Sequence, residues 1–212
     1  MELSILQKIV IYALPVLFAI TVHEAAHGYA ARYFGDMTAH NEGRISLNPL
    51  KHIDPFGTII LPALTIMLGG ILFGWAKPVP VNFDRLRNPK KDMLWVAAAG
   101  PASNLIMAII WAFVLKFAVS APEAVAIPLL LMAKAGVMIN IVLMVLNLLP
   151  LPPLDGGRIA VSLLPNKLAR AFSQLERYGF VILIILLFTG ILGKILDPFI
   201  GAAYSVINHL FL

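Results

Sequence analysis

Long apolar runs separated by short polar loops dominate this chain. Four such runs lie at residues 5–34, 93–119, 127–149 and 180–196. Each is near or above the roughly 17–25 residues that a membrane-spanning helix needs. The polar loops between them occupy residues 35–55, 74–91 and 150–178. The pattern predicts an all-α multi-pass membrane protein with four spanning helices.

Two other apolar runs are less regular. The run at residues 57–73 is barely long enough to cross and is interrupted by Pro62 and by Gly69 and Gly70. We predict that it enters the membrane and returns on the side it left, with a short extended strand nearby. The tail at residues 199–212 is too short to cross, so we expect a C-terminal helix that is interfacial or partly inserted. The stretch "LARAFSQLER" has amphipathic spacing and is expected at the membrane surface.

The composition supports a membrane protein and limits its chemistry. Of the 212 residues, 60 % are hydrophobic and 13 % are charged, whereas an ordinary soluble domain is roughly 45–50 % apolar. No stretch is large enough to form a separate soluble core, which predicts one domain over residues 1–212. The chain has no cysteine, so imidazole and carboxylate groups must hold any metal. The net charge is +5, and the basic residues that produce it flank the apolar runs. This position favours contact with anionic lipid over nucleic acid.

The stretch "TVHEAAHGYAA" places ionisable groups inside the first apolar run, where such groups are costly. His23 and His27 are four residues apart, so on a helix they share one face and can bind one metal ion. Glu24 lies beside them. This is the H-E-x-x-H arrangement of a zinc hydrolase, in which the glutamate takes a proton from water and passes it to the leaving amine. The alternative is a chance match formed by two packed core histidines.

A catalytic zinc usually has three protein ligands and one open position, so the motif predicts another ligand elsewhere. Asp155 in "NLLPLPPLDGG" is the best candidate. It follows prolines that cannot sustain a regular helix, and Gly156 and Gly157 after it allow the backbone to approach closely. The alternative is that Asp155 caps the helix that begins near Gly156.

Three motifs together resemble those of the site-2 proteases, which cut other proteins within the membrane. They are HEAAH in the first run, "AAAGPASN" in a middle run and "NLLPLPPLDGGR" after the next. The stretches "GRISLNPLKHIDPFGT" and "FGWAKPVPVN" further resemble the small prokaryotic branch. The chain departs from larger members because no loop has room for their PDZ or CBS domains.

The resemblance implies a role for each motif residue. His23, His27 and Asp155 would bind one Zn²⁺ per chain, with Glu24 as the general base. Asn147 would donate a hydrogen bond to the substrate backbone or to the developing oxyanion, although an asparagine can also serve helix packing. The asparagine of "AAAGPASN", Asn104, is predicted to serve packing, because small residues before it allow close helix approach.

Two further groups have weaker indications of function. His52 lies in a polar loop, where a histidine is ordinarily solvated; the alternative is a supporting role at the metal or on the substrate. Lys77, Val79 and Val81 alternate with Pro78 and Pro80, which suits an edge strand that could pair with an unwound substrate. An ordinary loop is equally compatible with this pattern.

The distribution of charge provides an independent test of the topology. His23 and Asp155 can reach one ion only if residues 57–73 re-enter rather than cross. The loops at 35–55, 74–91 and 150–178 then share one face with most of the basic residues. By the positive-inside rule this face is cytoplasmic and the N-terminus lies outside. The active site would therefore lie near the cytoplasmic face of the cell membrane.

These observations predict an intramembrane zinc metalloprotease that cuts transmembrane protein substrates. One rival is a metal-ion transporter, which would need polar residues to continue across the bilayer. The other rival is a catalytically inactive membrane scaffold with a structural zinc. Glu24 discriminates against the scaffold, because a binding protein has no need of a base.

Overall fold

The computed structural model describes residues 4–60 and 74–211, and within them every regular element is helical. The α-helices are α1 (Ile5–Tyr33), α2 (Thr38–Asn41), α3 (Pro89–Ala118), α4 (Glu123–Asn147), α5 (Asp155–Leu163), α6 (Asn166–Ser173), α7 (Glu176–Phe188) and α8 (Ile191–Phe211). Short 3₁₀ turns cover Pro49–His52 and Phe83–Arg85, and a π-helical turn covers Pro55–Ile60. The prediction of an all-α protein is confirmed at this level.

Helix α1 carries the H-E-x-x-H motif, and its ends are defined by local chemistry. Ser4 and Gln7 form a capping box in which each side chain accepts a hydrogen bond from the other's backbone N–H. At the other end, the chain leaves the helix through Gly35, whose φ is 111°. A side chain is strained at this angle, so glycine allows the chain to turn directly after α1.

Two helices of the described residues are long and apolar enough to cross a membrane, α3 and the Val125–Asn147 part of α4. The count rises to three if α6 and α7 form one broken span; they meet at a bend of 59°. These helices and the overall apolar character identify a membrane protein. The predicted count of four spans is not confirmed.

Helices α3, α4 and α8 form the main core. Ala108 and Ala112 of α3 pack against Val137 and Ile141 of α4. The alanines are fully buried, and their small size allows the two helix axes to approach closely. Helix α8 contributes Leu192, Leu196 and Ile207 to the same cluster. Helix α1 packs across α3 and α4, and this arrangement brings the motif of α1 to the centre of the bundle.

The loop after α1 is hydrogen-bonded to the segment before α3. Asp36 accepts a hydrogen bond of 2.7 Å from the backbone N–H of Asn82, and the Arg87 N–H donates to the carbonyl of Phe34. The end of α1 and the start of α3 therefore lie side by side. Between them, Trp75 N–H donates to the carbonyl of Gly57 at 3.0 Å, so the two ends of the intervening segment also meet.

Three predictions about elements need correction. The described residues contain no β-strand, and residues 74–82, which include the predicted edge strand, have no regular secondary structure. The run at 180–196 is two helices, because Thr189 and Gly190, with φ 71°, end α7. The tail after residue 199 belongs to the 21-residue helix α8 rather than to a separate short helix. The predicted re-entrant segment falls mostly on residues 61–73, outside the described residues.

Asp36 is expected to stabilise the loop junction in a pH-dependent way. Burial alone would raise the pKa of Asp36, but hydrogen bonds from Thr38 and Asn82 and the charge of Arg85 hold it below its ordinary value. The stabilisation is therefore present above the unfolded pKa of about 3.9 and is lost as the pH falls through the folded pKa.

Asp36→Asn should accordingly lower the midpoint of thermal unfolding in detergent at pH 7, and the deficit relative to the natural chain should shrink at acid pH. Asp84→Asn, at an exposed position of the same junction, is the control and should have little effect. A deficit that stays constant down to pH 3 would contradict the charge-based account.

Candidate metal centre and active-site cavity

Three side chains from two distant parts of the sequence converge at one point. His23 and His27 extend from adjacent turns of α1, and Asp155 is the first residue of α5. Asp155 Oδ2 lies 3.2 Å from His23 Nε2 and 3.3 Å from His27 Nε2. The two Nε2 atoms are 3.1 Å apart. These three residues form a group that could hold a metal ion.

The opposite nitrogen of each imidazole is engaged in a hydrogen bond. His27 Nδ1–H donates to the backbone carbonyl of Val96 at 2.7 Å, and His23 Nδ1–H donates to Asn104 Oδ1 at 2.6 Å. A carbonyl can only accept, so His27 carries its proton on Nδ1. Both Nε2 atoms are then free to offer a lone pair to a metal. A hydrogen bond from the other ring nitrogen, as seen here at Nδ1, is usual for a metal-binding histidine.

The geometry fits a tetrahedral zinc ion. With ligand distances of about 2.0–2.2 Å, the edges of a zinc tetrahedron are roughly 3.3–3.6 Å long, and the three measured separations of 3.1–3.3 Å lie at or just below the short end of that range. Asp155 Oδ2 is buried and has no hydrogen-bond donor within residues 4–60 and 74–211. Lone pairs that converge in this way repel one another unless a cation lies among them, so the residues present fit the group that the motif predicts.

Glycines let the backbone approach the three side chains. A Cβ at Gly100 of α3 would lie 2.5 Å from His27 Nε2 and 2.6 Å from His23 Cε1. A Cβ at Gly156 would collide with the carbonyls of Leu148 and Leu149. The close backbone approach that the sequence predicts at Gly156 is therefore confirmed, and the proline-rich turn folds tightly against the start of α5.

The capping role considered for Asp155 is wrong. The N-cap of α5 is Leu154, which makes no side-chain capping bond, and Asp155 is the first helical residue. Its carboxylate points toward the two imidazoles instead.

Glu24 lies next to these groups and contacts the segment that follows residue 74. Its Oε2 accepts a hydrogen bond of 2.7 Å from the backbone N–H of Val79. Val79 is buried, and Gly28 allows this approach, since a Cβ there would lie 3.1 Å from the Val79 side chain. Glu24 therefore faces both the imidazole pair and the backbone of residues 74–82.

Other partners hold the same segment. Arg44 Nη2 donates to the carbonyls of Lys77 and Pro78, each at 3.1 Å. The Lys77 N–H donates to the carbonyl of His52 at 2.9 Å. The side chain of Lys77 is exposed, whereas Val79 and Val81 line a cavity beside Asp155.

His52 is placed differently from the expectation of a solvated loop histidine. Only 3 % of it is exposed, and its Nε2–H donates to the carbonyl of Ser46 at 2.8 Å. It is not among the three residues that converge on the metal position. Its backbone carbonyl supports Lys77, so its visible role is to position the segment that borders the site.

A cavity of about 530 Å³ opens beside the three converging side chains. Its wall includes His23, Glu24 and Asn147, and most of the remainder is apolar, with Trp75 and Phe180 packed edge to face at 5.0 Å. The Asn147 amide donates one hydrogen bond to the Leu143 carbonyl of its own helix. Its other N–H and its carbonyl oxygen have no further partner among the described residues, so both are available at the cavity wall.

Sequence reasoning missed the partners of the imidazoles. Asn104 was predicted to serve helix packing, but it is fully buried and accepts a hydrogen bond from His23. Val96 contributes a backbone carbonyl, which no side-chain pattern could reveal. The position of Asn104 within "AAAGPASN", four residues after Gly100, was the available signal: a glycine that admits the imidazoles places the next helical turn within their reach.

Comparisons with known proteins agree with this geometry. A family model described as peptidase family M50 matches residues 119–189. "Putative zinc metalloprotease YwhC" of Bacillus subtilis (strain 168) is 40 % identical over 200 residues, which cover 92 % of this chain and 88 % of that protein. "Putative zinc metalloprotease Rip2" of Mycolicibacterium smegmatis (strain ATCC 700084 / mc(2)155) is 33 % identical over 184 residues, covering 84 % of this chain and 66 % of the relative. No solved structure matches the chain.

These relatives define the class of the protein as a metallopeptidase. The chain belongs to peptidase family M50, the site-2 protease family. The resemblance seen in its three motifs is thereby confirmed.

An alanine at position 100 should disturb the metal position directly. Gly100→Ala should lower the amount of metal bound per chain, measured by elemental analysis of the purified protein, because the new Cβ would displace both imidazoles. Gly193→Ala in α8 is the matched control, since nothing lies within 4 Å of its Cβ position, and it should keep its metal. Unchanged metal content in Gly100→Ala would contradict the placement of α3 against the site.

Proposed function

We propose that this chain is an intramembrane zinc metalloprotease in which His23, His27 and Asp155 hold one Zn²⁺. The observation that carries the proposal is the convergence of three potential ligand atoms at 3.1–3.3 Å, in a cavity wall that also contains Glu24 and Asn147. The names of the relatives YwhC and Rip2, which refer to zinc metalloproteases, support the choice of metal.

The residues around the metal position have separate tasks. A bound zinc ion supplies Lewis-acid activation of water and of the scissile carbonyl. Glu24 takes the proton of the attacking water and delivers it to the leaving amine. Asn147 donates an amide hydrogen to the substrate carbonyl, where negative charge develops. The Val79 N–H occupies only Oε2 of Glu24, so the other carboxylate oxygen can take the proton while residue 79 holds the side chain in place.

The substrate is a transmembrane segment of another protein. A helix hides its carbonyls within its own hydrogen bonds, so the substrate must unwind locally before it can be cut. The apolar wall of the 530 Å³ cavity suits a side chain from a membrane segment. Val79 and Val81 border the site, which supports the proposal that an extended substrate lies along residues 77–81, with Lys77 at its exposed end.

The loop contacts support a topology with the active site near the cytoplasmic face. The hydrogen bonds from Asn82 to Asp36 and from Trp75 to Gly57 join residues on either side of 61–73, which supports the proposal that both flanks lie on one side of the membrane. The N-terminus of the first of four spans then lies outside, and the basic loops meet anionic lipid on the cytoplasmic side of the cell membrane.

The transporter rival finds little support in the described residues. The polar groups that continue from His23 into the bundle are Asn104 and Asn140, both with 0 % exposure. Their amides are bonded to each other and to backbone carbonyls, so they leave no open polar path. The base Glu24 in the cavity wall argues against an inactive scaffold.

Glu24→Gln should retain zinc and fold but lose cleavage by more than about a hundredfold, the usual scale for loss of a general base. The measurement is cleavage of a panel of single-span membrane proteins by the purified enzyme. His23→Ala, His27→Ala and Asp155→Ala should instead lose most of the zinc, and Glu42→Gln, an exposed glutamate, should behave as the natural chain. Normal turnover by Glu24→Gln would eliminate the proposed mechanism.

Single cysteines can test the topology, because the natural chain has none. Cysteines at the exposed positions Glu42 and Asn88 should both resist an impermeant thiol reagent applied to intact cells. One at the exposed Pro122, in the loop between α3 and α4, should react. Opposite labelling at positions 42 and 88 would mean that the segment between them crosses the membrane.

A further inference from the structure

Two fully buried asparagines connect three helices behind the metal position. Asn104 of α3 and Asn140 of α4 each have 0 % exposure. Asn104 Nδ2 donates to Asn140 Oδ1 at 2.9 Å and to the carbonyl of Ala19, on α1, at 3.3 Å. Asn140 Nδ2 donates to the Gly136 carbonyl at 2.8 Å. A continuous hydrogen-bonded path therefore runs from the backbone of α4 to His23.

Backbone carbonyls determine the direction of every hydrogen bond in this path. The Gly136 carbonyl can only accept, so the nitrogen of the Asn140 amide must face it and its oxygen must face Asn104. The Asn104 nitrogen then points toward Asn140, and the Ala19 carbonyl requires the same orientation. The Asn104 oxygen is left to face His23 Nδ1, which must carry the hydrogen.

We propose that Asn140 is a positioning residue of the metal site, which acts through Asn104 to hold His23 with Nδ1 protonated and Nε2 free for the metal. This inference rests on the proposed function, since it assumes that His23 is a zinc ligand. Without Asn140, the longer contact to Ala19 would be the one hydrogen bond from a described residue that still holds the Asn104 nitrogen in place. A turned amide would present N–H groups to Nδ1 and favour the tautomer that blocks metal binding at Nε2.

The arrangement also links the metal site to the substrate side of the cavity. Asn140 and Asn147 are seven residues apart on α4, which is about two helical turns, so they share one face of the helix. One residue positions the metal ligand and the other lies in the cavity wall. A displacement of α4 would therefore alter both the His23 ring and the amide offered to the substrate.

A packing role alone accounts poorly for these side chains. An apolar pair of similar shape would fill the space between α3 and α4 without the cost of burying two amides. The hydrogen bonds that the two amides form with each other and with the carbonyls of Ala19 and Gly136 orient the Asn104 amide so that its Oδ1 faces His23. The orientation of the two amides therefore decides which atom of Asn104 faces His23, and an apolar pair could not do this.

The test measures zinc dissociation from the purified full-length protein into an excess of chelator. Asn140→Leu, which keeps the approximate shape, should release zinc about tenfold faster, since loss of such outer contacts typically costs 10–100-fold in metal affinity. The visible absorption spectrum of the Co²⁺-loaded protein should change as well. Asn140→Ala, which adds no bulk, is the second variant if leucine prevents folding.

Two controls separate positioning from general stability. Ile141→Val, at a neighbouring and equally buried position, should lower the unfolding midpoint but leave zinc release and the Co²⁺ spectrum unchanged. In the Asn104→Leu background, Asn140→Leu should have little further effect on zinc release, because the path to His23 is already broken.

Natural rates of zinc release in a folded Asn140→Leu or Asn140→Ala variant would overturn the inference, as would independent, multiplicative effects of the two leucine substitutions. These outcomes differ from a failure of the proposed function, in which the natural chain itself would bind no zinc at this site and the inference would fall with it.

Discussion

Three side-chain atoms that could hold a metal ion lie within 3.1–3.3 Å of one another inside an apolar bundle, and several features of the fold serve to bring them together. Two of the atoms come from one helix face, so their spacing follows from helix geometry. The other, from Asp155, arrives from the far part of the chain and needs the turn at residues 148–154. Gly100 and Gly156 permit the close contacts that the arrangement demands. The fold thus depends on backbone approach as much as on the ligands themselves.

The same convergence explains why polar groups extend beyond the ligands. An imidazole that offers Nε2 to a metal carries its hydrogen on Nδ1, and that N–H needs an acceptor. Inside an apolar bundle the acceptor must come from the protein rather than from water. His27 solves the problem with a backbone carbonyl, and His23 with a side-chain amide. The amide solution needs further partners, and these tie α4 to α1 through α3.

The sequence predicted the helical class and the convergence of His23, His27 and Asp155, because the signals for both lie in short stretches of the chain. The spacing of His23 and His27 specifies a shared helix face, and Asp155 followed from the need for another ligand. It did not recover Asn104, since neighbouring small residues explained that position equally well. It also missed the end of α7 at Gly190, because a continuous apolar run conceals a positive φ. The edge strand failed because Pro78 and Pro80 offer no N–H, and the Val79 N–H goes to Glu24.

The contact between Val79 and Glu24 makes one amide hydrogen an internal reporter of the state of the Glu24 carboxylate. Pro78 and Pro80 have no amide hydrogen, so Val79 supplies the sole backbone donor between Lys77 and Val81. That hydrogen exchanges with deuterium only when its hydrogen bond to the Glu24 carboxylate opens. The rate at which this single N–H is replaced by N–D therefore records how often the hydrogen bond to Glu24 opens, and it can be measured in the enzyme without substrate or product.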